Sequence, residues 1–376
     1  MNHRAVAATS VAVVLLAGLT ACGEDPDNAP DPGTRTADPD REPSDAPDSG
    51  SPSAGVGPVQ ASDVVTGLTS PWGIVVFSDG SALVSERDTG DILLLPAGDA
   101  GEAEVVGSVP EAEPDNEAGL LGLATSPEED RVLAYYSTAD DNRIVSMSWD
   151  GSTLGDPDVI FEGIPGGAGY HQGGRMTVGP DDLLYVSTGD NGVPDNAQDP
   201  DSLSGKILRL TLEGESAPGN PFDTAVYSYG HRNVQGLAFD EERRLWASEF
   251  GSDEYDELNL IEAGSNYGWP LVEGTGDNDD FVNPKAVWRT EDASPSGLAY
   301  WQGSLWMAAL RGERLWEIPV DGTEAADPVG QLSGEYGRLR TVVTLPDDSG
   351  LWLATSNTDG RGQVRDGDDR VLRISR

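Results

Sequence analysis

The segment Pro180–Thr188, PDDLLYVST, is an aspartate-rich turn followed by a short apolar run that ends in small polar residues. Proline and aspartate favour turns, whereas leucine, tyrosine and valine favour strands. The segment therefore predicts a turn that leads into a β-strand. Five other stretches have the same form: SDGSALVSE at 78–86, PEEDRVLAYYS at 127–137, DEERRLWASE at 240–249, YWQGSLWMAA at 300–309 and PDDSGLWLAT at 346–355.

The six copies recur at a regular interval along the chain. Their aligned leucines are Leu83, Leu133, Leu184, Leu245, Leu305 and Leu351, which lie 46 to 61 residues apart. A repeat of this length is typical of propeller blades. We therefore predict an all-β fold, a six-bladed β-propeller over residues 58–376. A pair of β-sandwiches is the alternative, but sandwiches do not predict a repeat of this length.

The first 22 residues have the form of an export signal. Arg4 precedes an apolar run over residues 5–19 that is too short to span a membrane comfortably. It leads into Leu-Thr-Ala-Cys, which resembles a bacterial lipobox and ends at Cys22, the only cysteine of the chain. We expect a lipoprotein signal peptide over residues 1–22, lipid attachment at Cys22 and a protein on the outer side of the cytoplasmic membrane. The alternative is an ordinary secretory signal with an incidental cysteine.

Composition distinguishes a predicted tether from the predicted folded domain. Residues 23–57 are rich in proline, aspartate, serine and glycine, so we expect a disordered acidic tether there.

The whole chain has a formal net charge of −43 and only two lysines, Lys206 and Lys285. Such a surface repels polyanions, which excludes nucleic acid as a partner. Membrane contact is expected through the N-terminal lipid alone.

One histidine lies where a propeller would place a functional loop. His171 follows Tyr170 and precedes a Gln-Gly-Gly turn just before a predicted strand. Asp190 lies at the far end of that strand, and a hairpin could bring it back to the histidine. A carboxylate that orients an imidazole makes the imidazole an effective base. The alternative is a turn residue that hydrogen-bonds its own loop. The other internal histidine, His231, is expected only to pack its loop.

Arginines and an acidic loop complete the candidate chemistry. Four arginines from three repeats would meet at the propeller axis and suggest an anionic ligand with planar carboxylates: Arg232, Arg311, Arg338 and Arg340. The loop GSDEYDE at 251–257 offers carbonyl and carboxylate oxygens, which suit Ca²⁺. Taken singly, these signals also fit solvated strand faces and solvated turns.

Seven motifs together resemble the soluble quinoprotein glucose/sorbosone dehydrogenase family, in particular its bacterial aldose sugar dehydrogenases. They are SPWG at Ser70, EAGLLGLA at Glu117, HQGGR at His171, GDNG at Gly189, GHRNVQGLAF at Gly230, DELNLI at Asp256 and NYGWP at Asn266. The family is a six-bladed propeller that holds pyrroloquinoline quinone (PQQ) and calcium. The resemblance runs over nearly all of residues 60–376 and agrees with the blade count.

The resemblance implies catalytic and cofactor-binding roles for several residues. His171 matches the base that takes the proton from the anomeric hydroxyl of an aldose, and Asp190 matches the carboxylate that orients it. Arg232 and Asn233 match the pair beside the quinone oxygens, where the arginine would stabilise developing negative charge. The cofactor carboxylates would be bound by Arg338 and Arg340, with Arg311 against the cofactor.

The resemblance also implies metal and sugar contacts. The carbonyls of Gly251 and Ser252 match the groups that hold the calcium of the cofactor, which would act as a Lewis acid. A second calcium site would involve Glu257, Tyr267 and Asp277. Glu117 and Tyr170 fall at sugar-contacting positions.

Three residues depart from the family pattern. Ser252 stands where the family usually has proline, so a less rigid loop would weaken calcium binding. Arg311 stands in place of a lysine, which keeps the charge but not the shape. Tyr170 replaces an acidic residue, which puts a preference for glucose in doubt.

These observations predict a PQQ-dependent dehydrogenase that oxidises aldoses to lactones and passes electrons to an external acceptor, a quinone or a cytochrome. One alternative is a calcium-dependent lactonase on a six-bladed propeller, which gives no reason for the convergent arginines. The other is a binding propeller without cofactor, since the fold alone does not fix a function.

Overall fold

The computed structural model describes residues 57–98, 102–167 and 169–376. The predicted signal peptide, Cys22 and nearly all of the tether over residues 23–57 lie outside the described residues. Within the described ranges no helix is long and apolar enough to cross a bilayer. In the residues that the structure describes, the regular structure is almost entirely β-strand, with one 3-10 helix at Pro194–Gln198.

The strands form six antiparallel sheets, which we number as blades 1 to 6 in chain order. Blade 1 contains β2 (Pro71–Val76), β3 (Ala82–Glu86), β4 (Asp91–Leu95) and β5 (Glu104–Ser108). Blade 2 contains β6 (Leu120–Thr125), β7 (Arg131–Ser137), β8 (Asp141–Ser148) and β9 (Asp158–Pro165). Blade 3 contains β10 (Met176–Val178), β11 (Leu184–Ser187), β12 (Lys206–Leu210) and β13 (Val226–Tyr229).

The second half of the chain repeats this plan. Blade 4 contains β14 (Val234–Phe239), β15 (Leu245–Glu249), β16 (Tyr255–Ile261) and β17 (Ala286–Arg289). Blade 5 contains β18 (Pro295–Trp301), β19 (Ser304–Ala309) and β20 (Arg314–Asp321), with β21 (Glu324–Ala325) and β22 (Val329–Gln331) both paired to β20. Blade 6 contains β23 (Leu339–Thr344), β24 (Leu351–Thr355), β25 (Arg370–Ser375) and, as its outer strand, β1 (Gln60–Thr66).

The six blades close into a ring. The first strands of neighbouring blades contact one another all the way round, β2 with β6, β6 with β10, β10 with β14, β14 with β18, β18 with β23 and β23 with β2. The two ends of the propeller are joined because β1 pairs antiparallel with β25, from Gln60 opposite Ser375 to Thr66 opposite Arg370. The prediction of a six-bladed β-propeller is confirmed.

The repeated segments are the second strands of the blades. All six aligned leucines lie on them, at most 3% exposed. Each preceding turn contains a residue in the left-handed region, such as Gly80 or Asp182. Glycine or aspartate, which tolerate positive φ, takes this conformation in four of the six turns, at Gly80, Asp182, Gly303 and Asp348.

Each apolar cluster lies between two neighbouring blades, and this explains the strand pattern. On β7, Val132 and Tyr136 pack into the cluster shared with blade 1, whereas Leu133 and Tyr135 pack into the cluster shared with blade 3. Alternate residues of a strand point to opposite faces, and here both faces are buried. The second strands are therefore nearly continuous apolar runs rather than alternating ones.

Candidate active site

The direction of the strands places the polar residues singled out in the sequence at one face of the propeller. In an antiparallel blade the start of the first strand and the end of the second strand lie at the same edge. Arg232 precedes β14 and Arg338 precedes β23, while Asp190 follows β11 and Gly251 follows β15. The blades thus present these residues at one end of the central axis.

His171 and Asp190 form a hydrogen-bonded pair at this face. His171 Nδ1 lies 2.7 Å from Asp190 Oδ1, and the Asp190 side chain is fully buried while that of His171 is 13% exposed. Burial alone would raise the pKa of Asp190, but the hydrogen bond and charge of His171, the N–H of Gly192 and Arg232 outweigh it and lower the pKa. An ionised carboxylate only accepts hydrogen bonds, so Nδ1 carries a proton, and in a neutral imidazole Nε2 is then the acceptor.

The backbone holds the histidine in an unusual conformation. His171 has φ of 55°, in the left-handed region, and its N–H donates to Glu117 Oε2 at 2.8 Å. A Cβ at Gly189 would lie 1.7 Å from the His171 carbonyl oxygen, so only glycine allows the two loops to approach. Tyr170, 38% exposed, packs edge-on against the imidazole at 4.9 Å between ring centroids. His171 is thus fixed by neighbours from two blades.

Trp269 supports both the pair and the nearest arginine. Its indole Nε1 donates to Asp190 Oδ2 at 2.8 Å, and its ring lies 5.4 Å from the guanidinium carbon of Arg232. The carbonyl of Arg232 accepts the N–H of Asp190 at 2.8 Å. Asn233 Oδ1 accepts the N–H of Gly173 at 3.0 Å. Arg232, Asn233 and the His171–Asp190 pair are therefore one connected group.

A second arginine group lies on blade 6. The side chain of Asp359, which follows β24, is fully buried and lies 3.3 Å from Arg338 and 3.4 Å from Arg340, measured from Oδ2 to Nη2. Burial alone would raise the pKa of Asp359, but the two arginines outweigh it and lower the pKa to about 2. One carboxylate therefore holds two cations together, and the group keeps a net positive charge.

Hydrogen bonds through Gln235 link Arg340 and Arg175 across the axis. Arg340 Nη1 donates to Gln235 Oε1 at 2.9 Å, and the carbonyl of Gln235 accepts Arg175 Nε at 2.7 Å. Arg175 also donates to Thr341 Oγ1 at 3.0 Å and lies 4.2 Å from the Trp72 ring centroid. Burial lowers the pKa of Arg175 to about 9 and that of Arg340 to about 10, so both are cations at neutral pH.

Among the described residues, two of these arginines each have a buried N–H donor that lacks an acceptor. In the part of the chain that the structure describes, Nε of Arg232 and Nε of Arg340 are buried without a hydrogen-bond partner. An unsatisfied buried donor costs about 1–3 kcal/mol, so an acceptor supplied by a ligand would recover that energy. The chemistry of this face suits a planar, anionic ligand.

The loop predicted to bind calcium is tightly organised. The N–H of Gly251 donates to Asp256 Oδ1 at 2.9 Å, and the N–H of Ser252 donates to Glu273 Oε1 at 2.8 Å. Burial raises the pKa of Asp256 to about 7, although its hydrogen bonds from Gly251 and Ser294 and the charge of Arg232 oppose the shift. Hard oxygens, both carbonyl and carboxylate, surround this loop, which is the donor set that Ca²⁺ prefers.

The residues predicted for a second calcium site are only partly gathered. Glu257 is buried and accepts the N–H of Gly274 at 2.7 Å and Asn259 Nδ2 at 3.0 Å. The Tyr267 hydroxyl donates to the Leu260 carbonyl at 2.7 Å, whereas Asp277 lies exposed in the connection between β16 and β17. No group of three or more His, Cys, Asp or Glu side chains suited to a metal occurs among the described residues. This site stays a prediction.

Arg311 and His231 occupy different environments from His171. Arg311 follows β19 and is half-buried. His231 is fully buried, with Nε2 2.9 Å from Ser228 Oγ and Nδ1 2.9 Å from Glu249 Oε2, and it stacks on Tyr267. Both of its ring nitrogens are used inside the protein, which agrees with the packing role expected from the sequence.

Comparison with known proteins decides the class of protein. The profile of the family described as Glucose / Sorbosone dehydrogenase matches residues 68–365. The chain belongs to the glucose/sorbosone dehydrogenase family.

Individual relatives agree with this membership. The PQQ-bound form of aldose sugar dehydrogenase from Streptomyces coelicolor is 53% identical, with a TM-score of 0.81, over 84% of this chain and 98% of that one. Aldose sugar dehydrogenase YliI of Escherichia coli is 29% identical over 78% of this chain and 89% of its own length. An uncharacterized protein of Synechocystis, slr1608, is 33% identical over 81% of this chain and 85% of its own length. The family and the enzyme class predicted from the sequence are confirmed.

Several residues of this glucose/sorbosone dehydrogenase site were given no role from the sequence. They are Trp269, Asp359, Gln235 and Glu273, which contact the predicted residues. Trp269 lies in the NYGWP motif, which marked the segment but not the function of the indole. Asp359 follows the second strand of blade 6 as Asp190 follows that of blade 3, so its position in the repeat was the available signal.

Proposed function

We propose that the protein oxidises aldose sugars at the anomeric carbon to lactones, with PQQ as cofactor and calcium beside it. The observation that carries the proposal is the His171–Asp190 pair at 2.7 Å on the same face as the arginine groups. A base next to a cationic pocket is what removal of a hydroxyl proton with reduction of an anionic quinone requires. The PQQ-bound form of the Streptomyces coelicolor enzyme supports this choice of cofactor.

The residues present fit the cofactor. PQQ carries carboxylates, and Arg338 and Arg340 would bind them, while the spare buried Nε donors of Arg232 and Arg340 would gain acceptors. The carbonyls of Gly251 and Ser252 would hold the calcium, and Asn233 would lie beside the quinone. When bound, PQQ supplies the acceptor for a hydride from the sugar C1, and calcium supplies a Lewis acid that polarises that acceptor.

The side chains perform the proton chemistry. Nε2 of His171 takes the proton from the anomeric hydroxyl as the C1–H bond breaks, which leaves the lactone carbonyl. Asp190 stabilises the imidazolium because its carboxylate is ionised and already aligned on Nδ1. Arg232 stabilises negative charge that develops on the cofactor. The hydroxyl proton and the hydride together amount to two protons and two electrons, and these leave in a later step, the electrons to an external acceptor, a quinone or a cytochrome.

Substrate contacts follow from the neighbours of the base. Glu117 accepts the His171 N–H through Oε2, and Tyr170 flanks the imidazole with its ring. We propose that these two residues contact the sugar hydroxyls beside C1. Tyr170 offers an apolar face with one hydroxyl, which suits a broad range of aldoses better than a single sugar.

Reconstitution tests the proposal. Residues 57–376 are purified without cofactor, PQQ and Ca²⁺ are added, and dye reduction is followed with a panel of aldoses. We expect turnover that needs both additions and falls by at least about 10²-fold in His171→Ala and Arg232→Ala. Arg131→Ala, at a half-exposed arginine paired with Glu213, is the control and should keep its activity. A folded protein that neither binds PQQ nor turns over would contradict the proposal.

A hydrolase is the second outcome of the same experiment. Lactone hydrolysis with calcium alone, in the absence of PQQ, would support the lactonase alternative. The family membership and the arginine groups favour the dehydrogenase.

We propose further that the protein is an exported lipoprotein attached through Cys22. The support is the sequence of residues 1–22 and the single cysteine of the chain. Expression of the full chain with labelled palmitate should label the wild type and not Cys22→Ser. Label in both proteins, or in neither, would contradict lipid attachment at Cys22.

A further inference from the structure

One carboxylate oxygen organises the whole loop between β15 and β16. Oε1 of Glu273 accepts four consecutive backbone N–H groups, from Ser252 at 2.8 Å, Asp253 at 3.0 Å, Glu254 at 2.9 Å and Tyr255 at 3.0 Å. Consecutive N–H groups that converge on one anion form a nest, and hydrogen bonds to an ionised acceptor are the stronger kind. The conformation of the loop is therefore tied to a side chain 18 or more residues away.

The direction of these bonds fixes the direction of the carbonyls. In a trans peptide the N–H of one residue and the C=O of the residue before it point in opposite directions. The N–H groups of Ser252 and Asp253 point at Glu273, so the carbonyls of Gly251 and Ser252 point away from it. These are the two carbonyls proposed to hold calcium.

Glu273 does not act as a calcium ligand through the same oxygen. Oε1 already faces four N–H donors, whose partial positive charge repels a cation. Its position behind the loop, opposite the carbonyls of Gly251 and Ser252, suits support of the ligands rather than ligation.

The surrounding packing keeps the carboxylate in place. The next residue, Gly274, has φ of 73° and donates its N–H to Glu257 Oε1 at 2.7 Å. A Cβ at Gly274 would lie 2.8 Å from the Tyr255 ring, and one at Gly251 would lie 1.8 Å from the Tyr255 carbonyl oxygen. The loop and the Glu273–Gly274 segment are therefore fitted together without spare room.

We propose that Glu273 is the positioning residue of this loop, holding the Gly251 and Ser252 carbonyls in the orientation that calcium needs. Proline has no N–H, so the serine at position 252 supplies a hydrogen bond that a proline could not make. The Glu273 nest gives the loop the rigidity that a proline at position 252 would otherwise supply. The identity of the ion rests on the proposed function, whereas the nest itself does not.

Hydrogen exchange tests the nest without cofactor or metal. Amide exchange is measured by mass spectrometry or NMR for the wild type, Glu273→Ala and Glu273→Gln. We expect the amides of residues 252–255 to exchange at least tenfold faster in Glu273→Ala and to an intermediate extent in Glu273→Gln, which keeps an oxygen acceptor. Glu291→Ala, at an exposed acidic residue after β17, is the matched control and should leave these amides unchanged. Unchanged exchange in Glu273→Ala would overturn the proposal.

Calcium titration of the PQQ-loaded protein tests whether Glu273 positions the Gly251 and Ser252 carbonyls for calcium. We expect Glu273→Ala to weaken calcium binding at least tenfold by calorimetry and Glu273→Gln to weaken it less. Faster exchange with unchanged calcium affinity would overturn the positioning role while leaving the proposed function intact. A wild type that binds PQQ but no calcium would overturn the calcium part of the proposed function and the positioning role with it. If Glu273→Ala does not fold, the exchange and affinity of Glu273→Gln decide.

Discussion

Trp269 donates its indole N–H to Oδ2 of Asp190 at 2.8 Å, although the two residues lie 79 positions apart in the chain. The other oxygen of Asp190, Oδ1, is 2.7 Å from His171 Nδ1. Both oxygens of the carboxylate are thus committed before any substrate arrives. The carboxylate that orients the imidazole is itself held in place, which is the preorganisation that the proposed base requires.

Asp190→Asn should inactivate the enzyme without unfolding it. The amide of asparagine can donate to Nδ1, which favours the tautomer with its proton on Nε2 and removes the acceptor that the sugar hydroxyl needs. We expect kcat to fall by about 10²–10⁴-fold with a much smaller change in KM. Steady-state dye reduction by the PQQ-loaded enzyme measures this, with Asp181→Asn, at a surface ion pair with Arg209, as control. A rise in KM at unchanged kcat would contradict the assigned role.

Trp269→Phe should have a milder effect that depends on pH. Phenylalanine keeps an aromatic ring near Arg232 but loses the N–H that donates to Asp190. A lost hydrogen bond to the ionised form raises the pKa of Asp190 towards its ordinary value. We expect kcat to fall by about 2- to 10-fold and the acid limb of the kcat/KM profile to move to higher pH. An acid limb that does not move would show that the indole contributes packing alone.

Asp359→Asn should reduce stability in a defined pH window. The folded pKa of Asp359, about 2, is below the ordinary value of 3.8, so its ion pairs stabilise the fold above pH 3.8. That stabilisation is lost as the pH falls from about 4 to 2, and over this window it amounts to about 2 kcal/mol.

Urea unfolding of the cofactor-free protein at several pH values measures the effect. The difference in unfolding free energy between wild type and Asp359→Asn should be constant above pH 5 and should shrink below pH 4. Asp321→Asn, at an exposed aspartate, is the matched control. A difference that stays constant down to pH 2 would mean that Asp359 is not ionised against Arg338 and Arg340.

Gly189→Ala should displace His171, the proposed base. The new Cβ would lie 1.7 Å from the His171 carbonyl oxygen, so the loop that carries the imidazole has to move. A shift of about 1 Å in a catalytic group can cost about 10²-fold in rate, and we expect a loss of this order in kcat. Gly57→Ala, where an added Cβ meets nothing within 4 Å, is the control. Wild-type activity in Gly189→Ala would contradict the close approach of the two loops.

Two truncations should separate the predicted tether from the propeller. A chain that begins at residue 57 keeps β1, so its melting temperature should equal that of the full chain. A chain that begins at residue 67 lacks β1, which exposes the edge of β25 and removes the buried Val64 and Val65. We expect its melting temperature to fall by more than about 4 °C, or the chain not to fold. Calorimetry of both truncations checks this, and equal melting temperatures would contradict closure of the ring by β1.

The repeat in the sequence predicted the number of blades because each copy marks one second strand. On β24, Leu351 and Leu353 pack against blade 5, while Trp352 and Ala354 pack against the cluster shared with blade 1. Burial on both faces makes such strands apolar throughout, so they stand out from the turns. The outer strands were harder to place, since β5 and β9 are half exposed and of mixed composition.

Only part of the candidate site was predicted, because only some of its residues carry a local sequence signal. His171, Asp190 and the arginines carry motifs that can be read locally, and the structure brings them to one face. Asp359 and Glu273 lie in acidic segments of a chain in which acidic residues are abundant. Composition therefore gave no reason to choose them among the other carboxylates.

The sequence by itself determined the strand class and the six repeats, and it predicted a base, an orienting carboxylate and a set of arginines, because each depends on residues that are close in the chain. Only the tertiary structure decided which of them meet. Trp269 reaches Asp190 from another blade, Arg340 reaches Gln235 across the axis, and Glu273 gathers four N–H groups from a separate loop. Closure of the ring sets these distances, and no local pattern of residues encodes them.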